Sequence, residues 1–429
     1  MEIATLIFMF IALLSMTIWY YKKKTFFKIG LLVLGIYTFS ALMSIIFYVQ
    51  PASVFLLNGK ITFWPCLYWL VVFYFTFIPI SKFDRLSFRT INYNINLIRI
   101  FMYIGVLVSI IPFFEQIVII SRIGGGIGSN FATGLAELHD DEDALSVISP
   151  LSRFLLKINT SVNDFAYIVF LVAILQPKID QKIILSALFI IATRSLMGVV
   201  SGHRTGFVEV ILKFCVIACI VWPIISNDRK KILKKIGFIV LCFFGMFFIV
   251  ITVGRHTYYS EDHSNFTLLY FLSRYLGEGF VNFSQYLPYM KNTTDGYFCL
   301  WSEQWLLGMN PPEYTWEYSR GFLTSHQGIP QRIFYTYIGN FVQDFGFIFS
   351  FVILTTLPIV IGNCIKTNSY SIDISFLYLF ISVYITIMVY GFTSYKFVTS
   401  HSKYLLYDIV FYIVLRIFEQ KKQNIISNT

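Results

Sequence analysis

Apolar residues fall along this chain in runs of about 20, broken at near-regular intervals by short polar or charged stretches. A helix rises about 1.5 Å per residue, so a run of about 20 crosses the hydrocarbon core of a bilayer. On that length the pattern predicts spans near 3–21, 26–49, 61–80, 95–120, 154–176, 183–201, 206–226, 236–253, 333–363, 372–394 and 404–418. Lys157, Asn159, Asn163 and Asp164 interrupt the run at 154–176, and the last run is short. The fold class expected is therefore all-α: a polytopic integral membrane protein with about 11 transmembrane helices and one long extracytoplasmic loop. In domain terms, 1–253 is an N-terminal transmembrane bundle of eight spans, 254–332 a large outer loop with interfacial helices, and 333–429 three C-terminal spans with a tail.

Charge gives the spans a direction. Alternate connections carry Lys22–Lys24 with Lys28, then Lys82, Arg85 and Arg89, then Lys178 and Lys182, then Arg229 to Lys235, Lys366, and finally Lys421 and Lys422. Short base-rich loops of this kind stay in the cytoplasm. The intervening connections are acidic or mixed, including Asp140, Asp141, Glu142 and Asp143. The alternation demands an odd span count, with the N-terminus outside and the C-terminus inside. The first apolar run precedes its basic cluster, which is the reverse of a cleavable signal peptide, so it is expected to remain as a span.

Composition agrees with lipid as the solvent. Of 429 residues, 57% are hydrophobic and 13% charged, against about 25% charged in soluble domains. Phe (46) and Tyr (28) are over-used, as expected where rings fill gaps between helices and form interfacial belts. The formal charge of +10 sits in orientation loops rather than along a phosphate-tracking groove, so no nucleic-acid partner is expected. The six cysteines form no disulfide framework. Cys215 and Cys219 share a helix face without other metal ligands and read as packing residues. Neither a metal nor a cofactor motif is present, and no repeat relates the two halves, which disfavours a repeat-built transporter.

Candidate chemistry clusters at the expected outer face. Between two apolar runs lies Ser201-Gly202-His203-Arg204-Thr205-Gly206. A guanidinium just under the membrane surface is costly unless paired or facing an anionic ligand, and its fork suits phosphate oxygens. The competing reading is that Arg204 simply reaches water from a helix end. Arg255 emerges at the same depth, so Arg204 and Arg255 together match a diphosphate. Within the spans, Glu209 and Lys213 are spaced to pair on one helix face, and Arg194 lies nearby; mutual neutralisation is the simpler account of these three. In the long loop, Arg274 and Glu278 are again spaced to pair. Trp301, Trp305 and Arg320 offer stacking faces and hydrogen-bond donors for sugars, or else an interfacial belt. His326 precedes the next span closely and has a nitrogen suited to taking a hydroxyl proton, although a lone His is more often structural.

The SGHRTGF turn, the outer arginine of GRHTYY, the long loop and the tract HQGIPQRIFYTYIGNFVQDFGFIF together resemble bacterial O-antigen polymerases, within the oligosaccharide repeat-unit polymerases (Wzy-type). The resemblance spans the architecture of the whole chain through short motifs. It implies a glycosyltransferase C-like superfamily architecture in the bacterial inner membrane, with the N-terminus periplasmic and the C-terminus cytoplasmic. The implied activity is polymerisation of undecaprenyl-diphosphate-linked repeat units by metal-independent, inverting glycosyl transfer, without a cofactor. Arg204, Arg255 and His326 then become catalytic, and His203, Arg274, Arg320, Arg332, Trp301, Trp305 and Glu209 substrate-binding. Its partners are the lipid-linked glycan donor and acceptor, the bilayer, and a polysaccharide chain-length regulator. The chain departs from ligase-like relatives in lacking a Gly-rich helix directly after His326-Gln327, which leaves Arg332 as a further phosphate ligand. A lipid-linked oligosaccharide flippase and an O-antigen ligase are the alternatives.

Overall fold

The computed structural model describes residues 2–23, 25–55, 59–88, 90–123, 148–176, 180–200, 205–260, 267–313, 315, 318–331, 334–365 and 371–418. In chain order its helices are α1 (Glu2–Lys22), α2 (Ile29–Val49), α3 (Phe63–Phe83), α4 (Ile95–Ile123), α5 (Pro150–Leu175), α6 (Gln181–Val200), α7 (Thr205–Val221) and α8 (Asn227–Ser260). They continue with α9 (Leu268–Gln285), α10 (Trp301–Leu306), α11 (Thr324–Gln327), α12 (Thr336–Cys364), α13 (Ile374–Tyr390) and α14 (Ser402–Phe418). Every apolar run of the sequence thus falls on helical backbone. The stretch 254–332, expected to be a loop with interfacial helices, carries α9, α10 and α11.

Among the described residues six helices are long and apolar enough to cross a membrane: α1, α2, α3, α4, α6 and α12. The helix α5 bends by 46° between its halves Pro150–Thr160 and Val162–Leu175, and makes a seventh if the two halves count as one span. The helices α7, α8, α13 and α14 do not meet that test, so among the described residues six or seven of the eleven expected spans are clear. Their outer faces explain the composition. Ile7, Ile11 and Ile18 on α1, and Leu107, Ile111 and Phe114 on α4, are exposed. Apolar faces this continuous would aggregate in water and are stable against lipid tails. The protein is an all-α, multi-pass membrane protein.

The chain divides into two compact units, each discontinuous in sequence. The first comprises Met1–Ser87, Leu269–Ser369 and Val383–Tyr407. Its centre is aromatic: Trp69 stacks on Phe73 with ring centroids 4.8 Å apart and meets Phe280 edge-on at 4.9 Å, while Tyr37 tilts onto Phe73 at 4.6 Å. Such pairs add to the large area each ring buries. The helices α2 and α9 cross at Gly277, where any Cβ would meet the Ser44 backbone at 2.3 Å. At the base-rich end of the unit, buried Asp84 caps α2 from a distance, its carboxylate accepting from the backbone N–H groups of Ile29 (3.1 Å) and Gly30 (2.8 Å) and from the Tyr20 hydroxyl (2.7 Å). A negative charge there meets the positive end of the helix dipole.

The second unit comprises Phe88–Leu268, Tyr370–Ser382 and Asp408–Thr429. Helices α4, α5 and α6 pack on one another. A two-strand parallel pair, β1 (Thr90–Asn92) with β2 (Ser371–Asp373), is the only sheet among the described residues. Arg416 donates to Asp373 at 2.6 Å and Asn92 to the other oxygen at 2.7 Å, which pins this pair. Arg229 closes the C-terminal end of α5 by donating to the carbonyls of Ile174 and Gln176, the favoured place for a cation on a helix.

Candidate functional site at a broken helix

In the first unit α12 is broken. Gly346 has φ 68° and ψ 176°, a conformation open almost only to glycine, so the helix stops at Phe345 and restarts. A break frees carbonyls that must find donors, because lipid offers none. The segment 291–299 supplies them. Gln343 O accepts from Thr294 N at 3.0 Å and Asp344 O from Asp295 N at 3.1 Å, while Phe347 O takes the Tyr68 hydroxyl at 2.7 Å. The buried Asp344 carboxylate completes the seam, accepting from the Thr294 hydroxyl (2.6 Å) and from the backbone N–H groups of Phe298 (2.9 Å) and Cys299 (2.5 Å).

His326 sits on this seam. Its Nε2 lies 2.9 Å from Thr293 O. A carbonyl only accepts, so the neutral ring carries its proton on Nε2 and keeps Nδ1 as an acceptor. The ring is half-buried and stacks on Phe322 (5.7 Å, 9°), which stacks in turn on Tyr318 (5.3 Å, 20°). Asn292 donates to His326 O and Lys291 N to Gln327 O, tying α11 to the same segment. Gln327 is buried; its Nε2 donates to Gln343 O at 3.2 Å, and its Oε1 accepts from Gln331. Beside it the buried Nε2 of Gln343 meets no acceptor, a donor left for something else.

Two further groups adjoin the seam. Burial pushes the Cys299 thiol well above its ordinary value and the Asp344 carboxylate adds to this, so Cys299 is not a thiolate nucleophile. Burial also raises the Glu303 carboxyl, against a hydrogen bond from Ser402. A carboxyl held towards its protonated form is suited to proton transfer.

The residues singled out in the sequence are placed unevenly. His203, Arg204 and Arg332 lie outside the described residues. Arg255 lies on α8, and Arg320 on the helical turn Ser319–Leu323; their side chains are outside the description. Arg274 pairs with Glu278 at 2.8 Å on α9, as its spacing predicted. Trp301 donates its indole N–H to Pro312 O at 2.9 Å, and Trp305 is exposed. Glu209, in the second unit, pairs with Lys213 at 2.6 Å, and buried Asp164 joins that pair from α5. Asp164 had been visible only as an interruption of an apolar run. Gln343 was not singled out, and Gln327 only as the neighbour of His326; the one signal near Gln343 was Asp344-Phe345-Gly346, a carboxylate beside glycine inside an apolar run.

No protein-family model, curated protein or solved structure matches this chain.

Proposed function

We propose that this chain is a bacterial inner-membrane glycosyltransferase that polymerises undecaprenyl-diphosphate-linked oligosaccharide repeat units into O antigen or a similar surface polysaccharide. The transfer is metal-independent and inverting, on the periplasmic face, within an eleven-span topology whose N-terminus is periplasmic and C-terminus cytoplasmic. The observation that carries the reading is the setting of His326. Its Nε2 is held by Thr293 O of the segment that seals the broken helix, with Nδ1 kept as an acceptor and a buried amide donor of Gln343 in the same seam.

In this reading Nδ1 of His326 takes the proton from the attacking sugar hydroxyl as the glycosidic bond forms. The bond to the lipid diphosphate breaks, and the charge that develops there is met by Arg204 and Arg255. A diphosphate is already a good leaving group, so fixed positive charge and positioning are what the protein must add. Arg274, Arg320, Arg332, Trp301, Trp305 and His203 serve sugar and phosphate binding.

A lipid-linked oligosaccharide flippase is the second reading. It is favoured by one observation, the buried Asp164–Lys213–Glu209 group within the second unit, since intramembrane charges often mark transport paths. An O-antigen ligase shares the polymerase chemistry with another acceptor.

Deletion of the gene in its host separates them. A polymerase mutant keeps single repeat units on the lipid anchor and loses the long ladder. A flippase mutant loses both, and a ligase mutant accumulates polymer on undecaprenyl diphosphate. Complementation with Arg204→Ala, Arg255→Ala or His326→Ala is expected to restore protein in the membrane without the ladder. A normal ladder from any of the three removes that residue from the mechanism.

A further inference from the structure

The segment that seals the broken helix continues into a closed hairpin, 301–312, which the glycosyl-transfer reading uses only through its two tryptophans. Two contacts in the first unit fix its base. Cys299 N donates to Asp344 of α12 at 2.5 Å, and Ser302 N donates at 2.7 Å to the hydroxyl of Ser402, the first residue of α14. The Trp301 indole N–H closes the loop on Pro312 O at 2.9 Å.

The far end is equally ordered. After Leu306, α10 ends in a left-handed turn at Gly308 (φ 77°), where Gly308 N donates to Trp305 O and Met309 N reaches back to Gln304 O, each at 3.0 Å. This pair of bonds satisfies the last carbonyls of a helix, and the residue after the glycine commonly folds back into an apolar contact. Here that residue, Met309, is exposed, and so are Trp305, Leu306 and Leu307, the last by 79%. No charged residue lies between Glu303 and Glu313. A rigid tip thus holds four large apolar side chains away from the protein, a costly arrangement in water.

The depth of the tip follows from α12. Lys82 donates to Asn363 at 2.8 Å at the base-rich end of the unit. The helix from Phe347, just past the break, to Cys364 rises about 27 Å, close to the roughly 30 Å of a hydrocarbon core. The exposed apolar stripe of α12 begins at Ile348 and Phe349, whereas no residue from Thr336 to Gly346 is exposed. The break therefore lies at the hydrocarbon boundary opposite the base-rich end. The six residues of α10 span only about 9 Å, so a hairpin rooted at Asp344 keeps its tip close to that boundary.

We propose that the tip, through Leu306, Leu307 and Met309, inserts into the bilayer where headgroups meet acyl chains, anchoring the segment that orients His326. Its apolar surface continues the lipid-facing surface that α12 opens at the same level. Trp305 is of the ring type enriched at this depth, where it also stays within reach of a lipid-borne sugar. A second copy of the chain is a poorer occupant. Four side chains bury on the order of a few hundred Å², against the roughly 1,200 Å² of a specific protein interface. The inference does not rest on glycosyl transfer, since it concerns only the solvent that the tip meets.

The test follows tryptophan emission of the full-length protein in nanodiscs whose acyl chains are brominated near their ester ends, with plain lipid and aqueous iodide as the comparisons. The emission that Leu307→Trp adds over wild type is expected to lose most of its intensity in brominated lipid. The native ring gives a second measurement: the emission that disappears in Trp305→Phe should be quenched in the same lipid. If brominated lipid leaves either signal unchanged, the proposal is overturned. Quenching by iodide would then put the tip in water, and quenching by neither would put it against protein. Should Leu307→Trp fail to fold, Trp305→Phe decides alone by the same criterion. Neither readout involves activity, so a negative result leaves the glycosyl-transfer reading to its own test.

Discussion

Asp344 Oδ1 lies 2.9 Å from the backbone nitrogen of Phe298, so a carboxylate on a membrane-spanning helix closes a segment 46 residues away in sequence. The same carboxylate takes the N–H of Cys299 and the hydroxyl of Thr294. Asp344 is therefore the point at which α12 and the segment carrying Thr293 are made into one body, and Thr293 is what orients His326. The orientation of His326 thus depends on Asp344 through Thr293.

Replacing Asp344 by Ala orphans two buried backbone donors and a hydroxyl. Each buried unsatisfied group costs about 1–3 kcal/mol, so Asp344→Ala is expected to lose roughly 3 kcal/mol or more, read as a lowered midpoint in thermal unfolding. Asp344→Asn keeps one acceptor but turns an N–H towards a donor, and is expected to fall between Ala and wild type. An unchanged midpoint for Asp344→Ala would remove the seam.

Gly346 tests the break itself. A Cβ there would meet only Thr293 Cγ2, at 3.6 Å, so contact is not the obstacle. The cost comes from φ 68° with ψ 176° and is on the order of 1–3 kcal/mol. Gly346→Ala and Gly346→Ser are expected to lower the unfolding midpoint by similar amounts. Midpoints equal to wild type would mean that the helix is continuous through this position.

What the sequence made legible follows from what is periodic or local. Apolar run length located helical backbone, and among the described residues six or seven of those helices are long and apolar enough to cross a membrane, because lipid-facing helices must be apolar for their whole length. Spacing of four foretold Arg274–Glu278 and Glu209–Lys213, since helix geometry alone brings such pairs together. Run length did not show that α5 bends or that α12 breaks. A polar island in one helix and a glycine in another carry no apolar signal of their own. Asp164 and Asp344 acquire their roles from other elements, Lys213 on α7 and the segment 291–299. Nothing near them in sequence announces those partners.

Asp84 makes stability depend on pH. Burial pushes its carboxyl up to about 6 from an ordinary 3.8, although the Tyr20 hydroxyl and the N–H groups of Gly30 and Ile29 oppose the shift. A folded value above the unfolded one gives stability that is complete below the unfolded value and is lost as pH rises through the folded one. Unfolding free energy is thus expected to fall by roughly 2–3 kcal/mol between about pH 4 and 6 from this group. Asp84→Asn keeps an acceptor for the start of α2 and should flatten that interval. A slope unchanged in Asp84→Asn would place its origin elsewhere.

Lys213 stands between Asp164 and Glu209 in the interior of its unit, with its ammonium 5.0 Å from the Tyr167 ring centroid. Removing one member of a buried ionic group leaves uncompensated charge and costs about 3–5 kcal/mol, whereas replacing the whole group by apolar residues is often neutral. Lys213→Met is therefore expected to unfold at a much lower temperature than wild type. The triple variant Lys213→Met, Asp164→Leu, Glu209→Leu should recover most of that loss, because it leaves none of the three charges behind. If the single variant were as stable as the triple, the two carboxyls would have to be neutral without Lys213, and mutual compensation would not be what holds these groups inside the helix bundle.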